Sequence, residues 1–173
     1  MRRGALLAAY ALMLMGCAHG RLDEPDLPAI EATAQFIIQA LAPGDSEDYR
    51  WDAFARRVSS SARWRLSREA GAGVRRDGRL NTGAGVVAIG DSENVAALSI
   101  DTNAFHAVTL LEALRRAGAD VSFQADYETY SEYIVTPPGR DAGLLTEYST
   151  CSPLENRPAW GCRDYVTLTF NPF

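Results

Sequence analysis

After residue 26 the chain carries a single histidine, His106, in the stretch Asp101-Thr102-Asn103-Ala104-Phe105-His106. A strand pattern passes there into a helix pattern, a position that lines crevices in many α/β folds. A carboxylate that orients an imidazole makes a general base, so Asp101 and His106 form the candidate acid–base pair. The competing role of Asp101, Thr102 and Asn103 is helix capping, which those residue types favour. Asp126, Glu128 and Glu132 share one parity of a later strand pattern, with Tyr130 among them. Such a row could hold calcium or a cationic ligand, or simply face water. No EF-hand spacing accompanies it, and no metal or cofactor is expected. All 17 basic residues are arginine. Without lysine the chain can form no lysine Schiff base, P-loop lysine contact or Ser-x-x-Lys acylation pair. These residues favour a non-enzymatic protein, with a small-ligand-binding or hydrolytic domain, its pocket near His106, as the alternative.

The three cysteines are more specific. Met1-Arg2-Arg3 is a short basic segment, followed by twelve uncharged residues from Gly4 to Met15. That run is shorter than the ~20 residues of a spanning helix and suits the apolar part of a secretory signal peptide. It closes on Leu14-Met15-Gly16-Cys17, which resembles the lipobox of bacterial lipoproteins. The resemblance covers residues 1–18 and implies cleavage before Cys17 and its acylation. With Ala18 as the second mature residue, it also implies the inner leaflet of a Gram-negative outer membrane. Several acyl chains hold a protein durably where one does not. The organisation expected is a leader at 1–16, Cys17 and a tether at 17–25, and one globular domain at 26–173. Eight tether residues reach at most about 28 Å.

An exported chain folds under oxidising conditions, and the two cysteines left over are Cys151 and Cys162. They are expected to form a disulfide. Pro153, Asn156, Pro158 and Gly161 make the segment between them an irregular loop. Closing it adds about 3 kcal/mol in the chain-entropy treatment.

Residues 50–79 hold nine arginines and three acids, between acidic flanks. Internal pairing and solvated helix faces account for most such runs. The alternative is a docking face for an anionic partner or for lipid headgroups. Its contact candidates are Arg56, Arg57, Arg63, Trp64, Arg65 and Arg68. Trp51 belongs to an apolar stripe and is expected in the core. Trp64 falls off that stripe and suits an interface. An exported lipoprotein rarely meets nucleic acid, so the expected partners are the membrane and an envelope protein or component.

Helical spacing of Leu27, Ile30, Ala34, Ile37 and Leu41 predicts a first helix, stopped at Pro43-Gly44. Trp51, Phe54, Val58 and Ala62 predict a second, starting near Asp45 or Ser46 and weakened at Ser59-Ser60-Ser61. Five glycines between residues 67 and 85 suggest a flexible connection. Val86–Ile89 and Val95–Asp101 predict a hairpin. Ala107, Leu110, Leu111 and Leu114 mark a third helix ended by Gly118. Val121 to Val135 alternates as one long strand, and Leu144–Ser149 and Tyr165–Phe170 follow as two more. The class is α+β: two N-terminal helices, then a mostly antiparallel sheet of about five strands with one helix inserted.

That order resembles, in architecture only, the cone-shaped nuclear-transport-factor-like fold, which hosts binding proteins and enzymes alike. Gly90-Asp91-Ser92 resembles the first block of the Gly-Asp-Ser hydrolases. The Gly-x-Asn-Asp and Asp-x-x-His blocks of that family are absent, and a hairpin loop explains the tripeptide.

Overall fold

Ile30, Ala34, Ile37 and Leu41 lie along one side of a helix because they recur three and four residues apart, and all four are buried. This is α1 (Leu27–Ala40). The computed structural model describes residues 27–44, 48–65, 68–70, 73–102, 107–149 and 164–170. Cys17, His106, Cys151 and Cys162 therefore fall outside the described residues, and so do the leader, the lipid anchor and the disulfide. Among the described residues no helix is long and apolar enough to cross a membrane.

The remaining elements are α2 (Trp51–Arg57), β1 (Ala62–Trp64), β2 (Arg68–Ala70), β3 (Gly73–Leu80), β4 (Gly85–Gly90), β5 (Val95–Asp101), α3 (Ala107–Arg116), β6 (Asp120–Asp126), β7 (Tyr130–Thr136), β8 (Gly143–Ser149) and β9 (Asp164–Phe170). They form one sheet of order β1-β3-β4-β5-β9-β8-β7-β6, with β2 lying beyond β1 along the same edge of β3. Every pairing is antiparallel. Two meanders, β3-β4-β5 and β6-β7-β8-β9, meet where β5 pairs with β9.

All three helices contribute to the core on one side of the sheet. Val86, Ala88, Leu98, Ile100, Leu145, Val166 and Leu168 point into that core from the strands. Helix α1 runs from α3, where Arg116 meets Glu31 at 3.8 Å, to the start of β1, where Ser61 Oγ donates to Gln39 Oε1 at 2.6 Å. No basic residue occupies its own last turn. Arg57 from α2 donates to Ala40 O at 3.3 Å, and Arg140 donates to Leu41 O at 2.7 Å. Two guanidinium groups from elsewhere in the chain thus satisfy the carbonyls and complement the dipole at the end of α1. Helix α3 ends as its sequence indicates. Gly118 takes φ 91°, and Ala119 N–H reaches back to Leu114 O at 3.0 Å.

Four expectations need correction. The sheet has more strands than five, and the chain supplies nine segments to it. Residues 73–80 form β3, although the glycines between 67 and 85 suggested a flexible connection. The strand gains its place from pairing on both sides, which local propensity does not report. Helix α2 is confined to Trp51–Arg57, and Ala62 belongs to β1. Val121–Val135 is a hairpin, in which Val121 faces Val135 and Phe123 faces Tyr133. Its turn keeps the apolar parity in phase across both strands, so sequence alternation alone cannot reveal it.

Candidate functional site

With the helices on one side, the residues of opposite parity line a second face of the sheet. Register places them in rows. The first row runs Arg63, Arg79, Gly85, then Asp101, Tyr165, Tyr148 and Tyr130. A further row holds Ile89, Ala97, Thr169, Leu144 and Ile134. Between them lie Asp77, Val87, Ser99, Thr167, Thr146 and Glu132. Most of these residues are half-buried by their neighbours, and Ile89 is 48% exposed.

The aromatic half of the first row is continuous. Tyr148 stacks on Tyr165 at 4.8 Å, and Tyr130 lies 5.5 Å from Tyr148. Tyr127 in the β6–β7 turn stacks on Tyr130 at 4.4 Å. Cross-strand aromatic pairs of this kind stabilise a sheet by about 0.2–1 kcal/mol each. Loss of water around Tyr130, then the proximity of Tyr127, Glu132 and Tyr148, raises its phenol above the usual range.

The other half is cationic. Arg63 and Arg79 are direct cross-strand partners, both exposed, and neither has an ion pair among the described residues. Like charges directly opposite each other repel. Arg65 is also exposed, and its backbone N–H donates to Asp77 O at 2.8 Å. Arg75 is held by Asp77 at 2.9 Å. Arg68 is the register partner of Arg75, and its side chain lies outside the described residues.

The contact candidates from the sequence therefore separate. Arg63 and Arg65 reach the open face, joined by Arg75 and Arg79, which sequence reasoning did not single out. Arg56 is exposed on α2 and pairs with Asp52 at 3.0 Å, a surface i,i+4 pair of small energetic weight. Arg57 turns inward. It donates to Asp48 O as well as Ala40 O, and its guanidinium lies 5.4 Å over the Tyr49 ring. Desolvation lowers its pKa below the arginine norm. Trp64 points to the core side, where its indole sits against Phe54 at 5.7 Å and over Gly78. A Cβ at Gly78 would stand 2.7 Å from the indole, so this glycine makes room for Trp64. Trp51 is buried and hydrogen-bonds to Asp91 O at 2.9 Å.

The tyrosine row also escaped sequence reasoning. The available signal was the alternation of β7, β8 and β9, each of which carries a tyrosine near one end on its polar parity.

Tyr49 has a different role. Its hydroxyl accepts from Ala42 N–H and donates to Asp141 Oδ2, both at 3.2 Å, and its ring stacks on Phe170 at 4.6 Å. Burial, with the Asp141 carboxylate adding to it, raises the phenol to about 12. An unfolded tyrosine titrates near ~10. Between those values the unfolded chain has lost a proton that the native state keeps. Stability from this group is thus complete below pH ~10 and is lost as pH rises towards ~12. Tyr49→Phe is expected to flatten that alkaline fall, measured as urea midpoints from about pH 9 to about pH 11.

Among the described residues the chemical candidates do not converge on a reaction centre. Gly90-Asp91-Ser92 forms the β4–β5 turn. Asp91 Oδ1 accepts the N–H groups of Glu93 at 2.7 Å and Asn94 at 2.6 Å, which holds its carboxyl below the usual range. Asp101 lies in the first row of the open face, while His106 is outside the described residues. Asp126 bonds Ser131 Oγ at 2.6 Å, and the register shift after Phe123 puts Asp126 and Glu132 on opposite faces. Among the described residues no three of His, Cys, Asp and Glu gather around a common point. Comparison of the chain with protein-family models, curated proteins and solved structures gives no match.

Proposed function

We propose that this chain is a membrane-tethered, non-enzymatic binding module of the cell envelope. It is anchored through acylated Cys17, faces the periplasm from the outer membrane, and engages its partner through the open sheet face. The supporting observation is the cross-strand pair Arg63 and Arg79, two exposed guanidinium groups with no ion pair among the described residues. Beside them lies a largely uncharged face that none of the described helices covers. Such a patch gains from a partner that brings apolar surface and negative charge together.

The test is an affinity pull-down from gently cross-linked envelopes, comparing wild type with Cys17→Ser and with Arg63→Glu/Arg79→Glu. One partner near stoichiometry is expected with the wild type, and its loss with the arginine variant. His106→Ala should retain it. No specific partner, or a partner lost only when His106 is replaced in a folded chain, would overturn this function.

A further inference from the structure

The chain has seven tyrosines, and four of them, Tyr127, Tyr130, Tyr148 and Tyr165, touch ring to ring in one run. The two ends of that run are held differently. Tyr148 and Tyr165 are direct partners within the sheet, each on a strand paired on both sides. Their rings stack at 4.8 Å and 12°, on backbones that the ladders fix. Tyr127 lies in the turn after β6, and among the described residues β7 is the one neighbour of β6. Its N–H donates to Tyr130 O at 2.8 Å, which closes the turn and sets the two residues against each other. Their rings stack at 4.4 Å with 27° between the planes, and Tyr127 is 50% exposed. Here ring contact and access from solvent meet on a backbone that is paired on one side only.

We infer that Tyr127 and Tyr130 are a site of oxidative cross-linking, joined as dityrosine by a one-electron oxidant of the haem peroxidase and hydrogen peroxide class. Each phenol gives up one electron and its hydroxyl proton, leaving a phenoxyl radical with spin on the ring carbons beside the C–O bond. Two such radicals in contact join through one Cε carbon of each ring. Each joined carbon then sheds its hydrogen as a proton while its oxygen regains one, which restores both phenols. The pair loses two electrons and two protons in all. One hydrogen peroxide takes them up and becomes two molecules of water. Stacking decides the outcome because a phenoxyl radical is short-lived, and a partner held in contact captures it before another chain can. Other tyrosines lack part of this arrangement. Tyr49 is buried with its hydroxyl held by Ala42 N–H and Asp141, and Tyr133 meets Phe123, which has no phenol. The new bond ties β6 to β7 across their turn. It forms on the free chain and does not depend on what binds the sheet face.

Treatment of the full-length chain in mild detergent with a haem peroxidase and hydrogen peroxide tests this. The expected product is a single chain lighter by two hydrogen atoms, with the violet emission of dityrosine. Glu128 lies between the two tyrosines, and Glu132 separates Tyr130 from Tyr133. Proteolysis at glutamate should therefore leave the fragment ending at Glu128 joined to fragment 129–132. Tyr127→Phe keeps the ring and removes one phenol, so it should abolish that product in a chain whose circular dichroism is unchanged. Tyr148→Phe should leave the product in place. A bond between Tyr148 and Tyr165 in its stead, dityrosine that persists in Tyr127→Phe, or oxidation that yields only linked pairs of chains would each overturn the inference. So would a chain left unlinked by a peroxidase mixture that couples free tyrosine.

Discussion

Truncation of Phe54 to alanine should lower the unfolding free energy by about 3–5 kcal/mol. The ring is 1% exposed and touches two distant parts of the chain. It meets Trp64 of β1 edge-on at 5.7 Å and Phe170 of β9 at 6.1 Å. Phe170 in turn carries Tyr49 at 4.6 Å, so the void would open among aromatic side chains from four separate segments. Rigid rings on two sides collapse poorly into a void, which places the effect high in the range for such truncations. Domains of this size have about 5–15 kcal/mol in total, so the variant should be marginal at best. Urea titration followed by tryptophan fluorescence reads it as a lower midpoint at unchanged slope. A loss below about 1 kcal/mol would show that the aromatic cluster repacks freely.

Gly90→Ala is the second large effect. An added Cβ would stand 1.9 Å from Asn94 O and 2.9 Å from Asn94 C and Val95 Cα. Those atoms are backbone, so the β4–β5 turn itself must move. The turn also anchors the helical layer: Trp51 N–H donates to Glu93 O at 3.0 Å, Trp51 Nε1 donates to Asp91 O at 2.9 Å, and Val95 N–H donates to Tyr49 O at 2.8 Å. Any shift strains those bonds together, and about 3 kcal/mol of destabilisation is expected in the same urea assay. Ser92→Ala is the contrast. Ser92 is exposed at the tip of the turn, and its removal should change stability by less than about 0.5 kcal/mol.

The sequence announced the elements whose apolar residues keep a single period and end at a recognisable stop. Helix α1, helix α3 with Gly118, the β4–β5 hairpin, β8 and β9 are of that kind. Strand β3 was hidden because its residues are chosen for what neighbouring strands supply. Leu80 is its one buried side chain, Gly78 accommodates Trp64, Arg75 and Arg79 face outward, and Arg76 lies 4.2 Å over the Trp51 ring. The β6–β7 turn was hidden by Tyr127, Glu128 and Thr129, which carry neither glycine nor proline. The contact surface was legible as a charged region and illegible in detail. Charge along the chain cannot distinguish Arg57, drawn in to cap α1, from Arg63, left outside beside Arg79. That distinction depends on a register formed with residues far away in sequence.

The junction of β5 with β9 bears on how the molecule comes into being. Within each meander, neighbouring strands follow one another closely in the chain and can find each other by short searches. Pairing Ala97–Asp101 with Tyr165–Thr169 must instead close a loop that contains α3 and three other strands. Chain-closure entropy makes that the slow encounter and sets the folding barrier there. A chain synthesised from its N-terminus completes β5 long before β9 exists. Until then Leu98 and Ile100 sit on an unpaired edge, a state open to misassociation and suited to a holding chaperone.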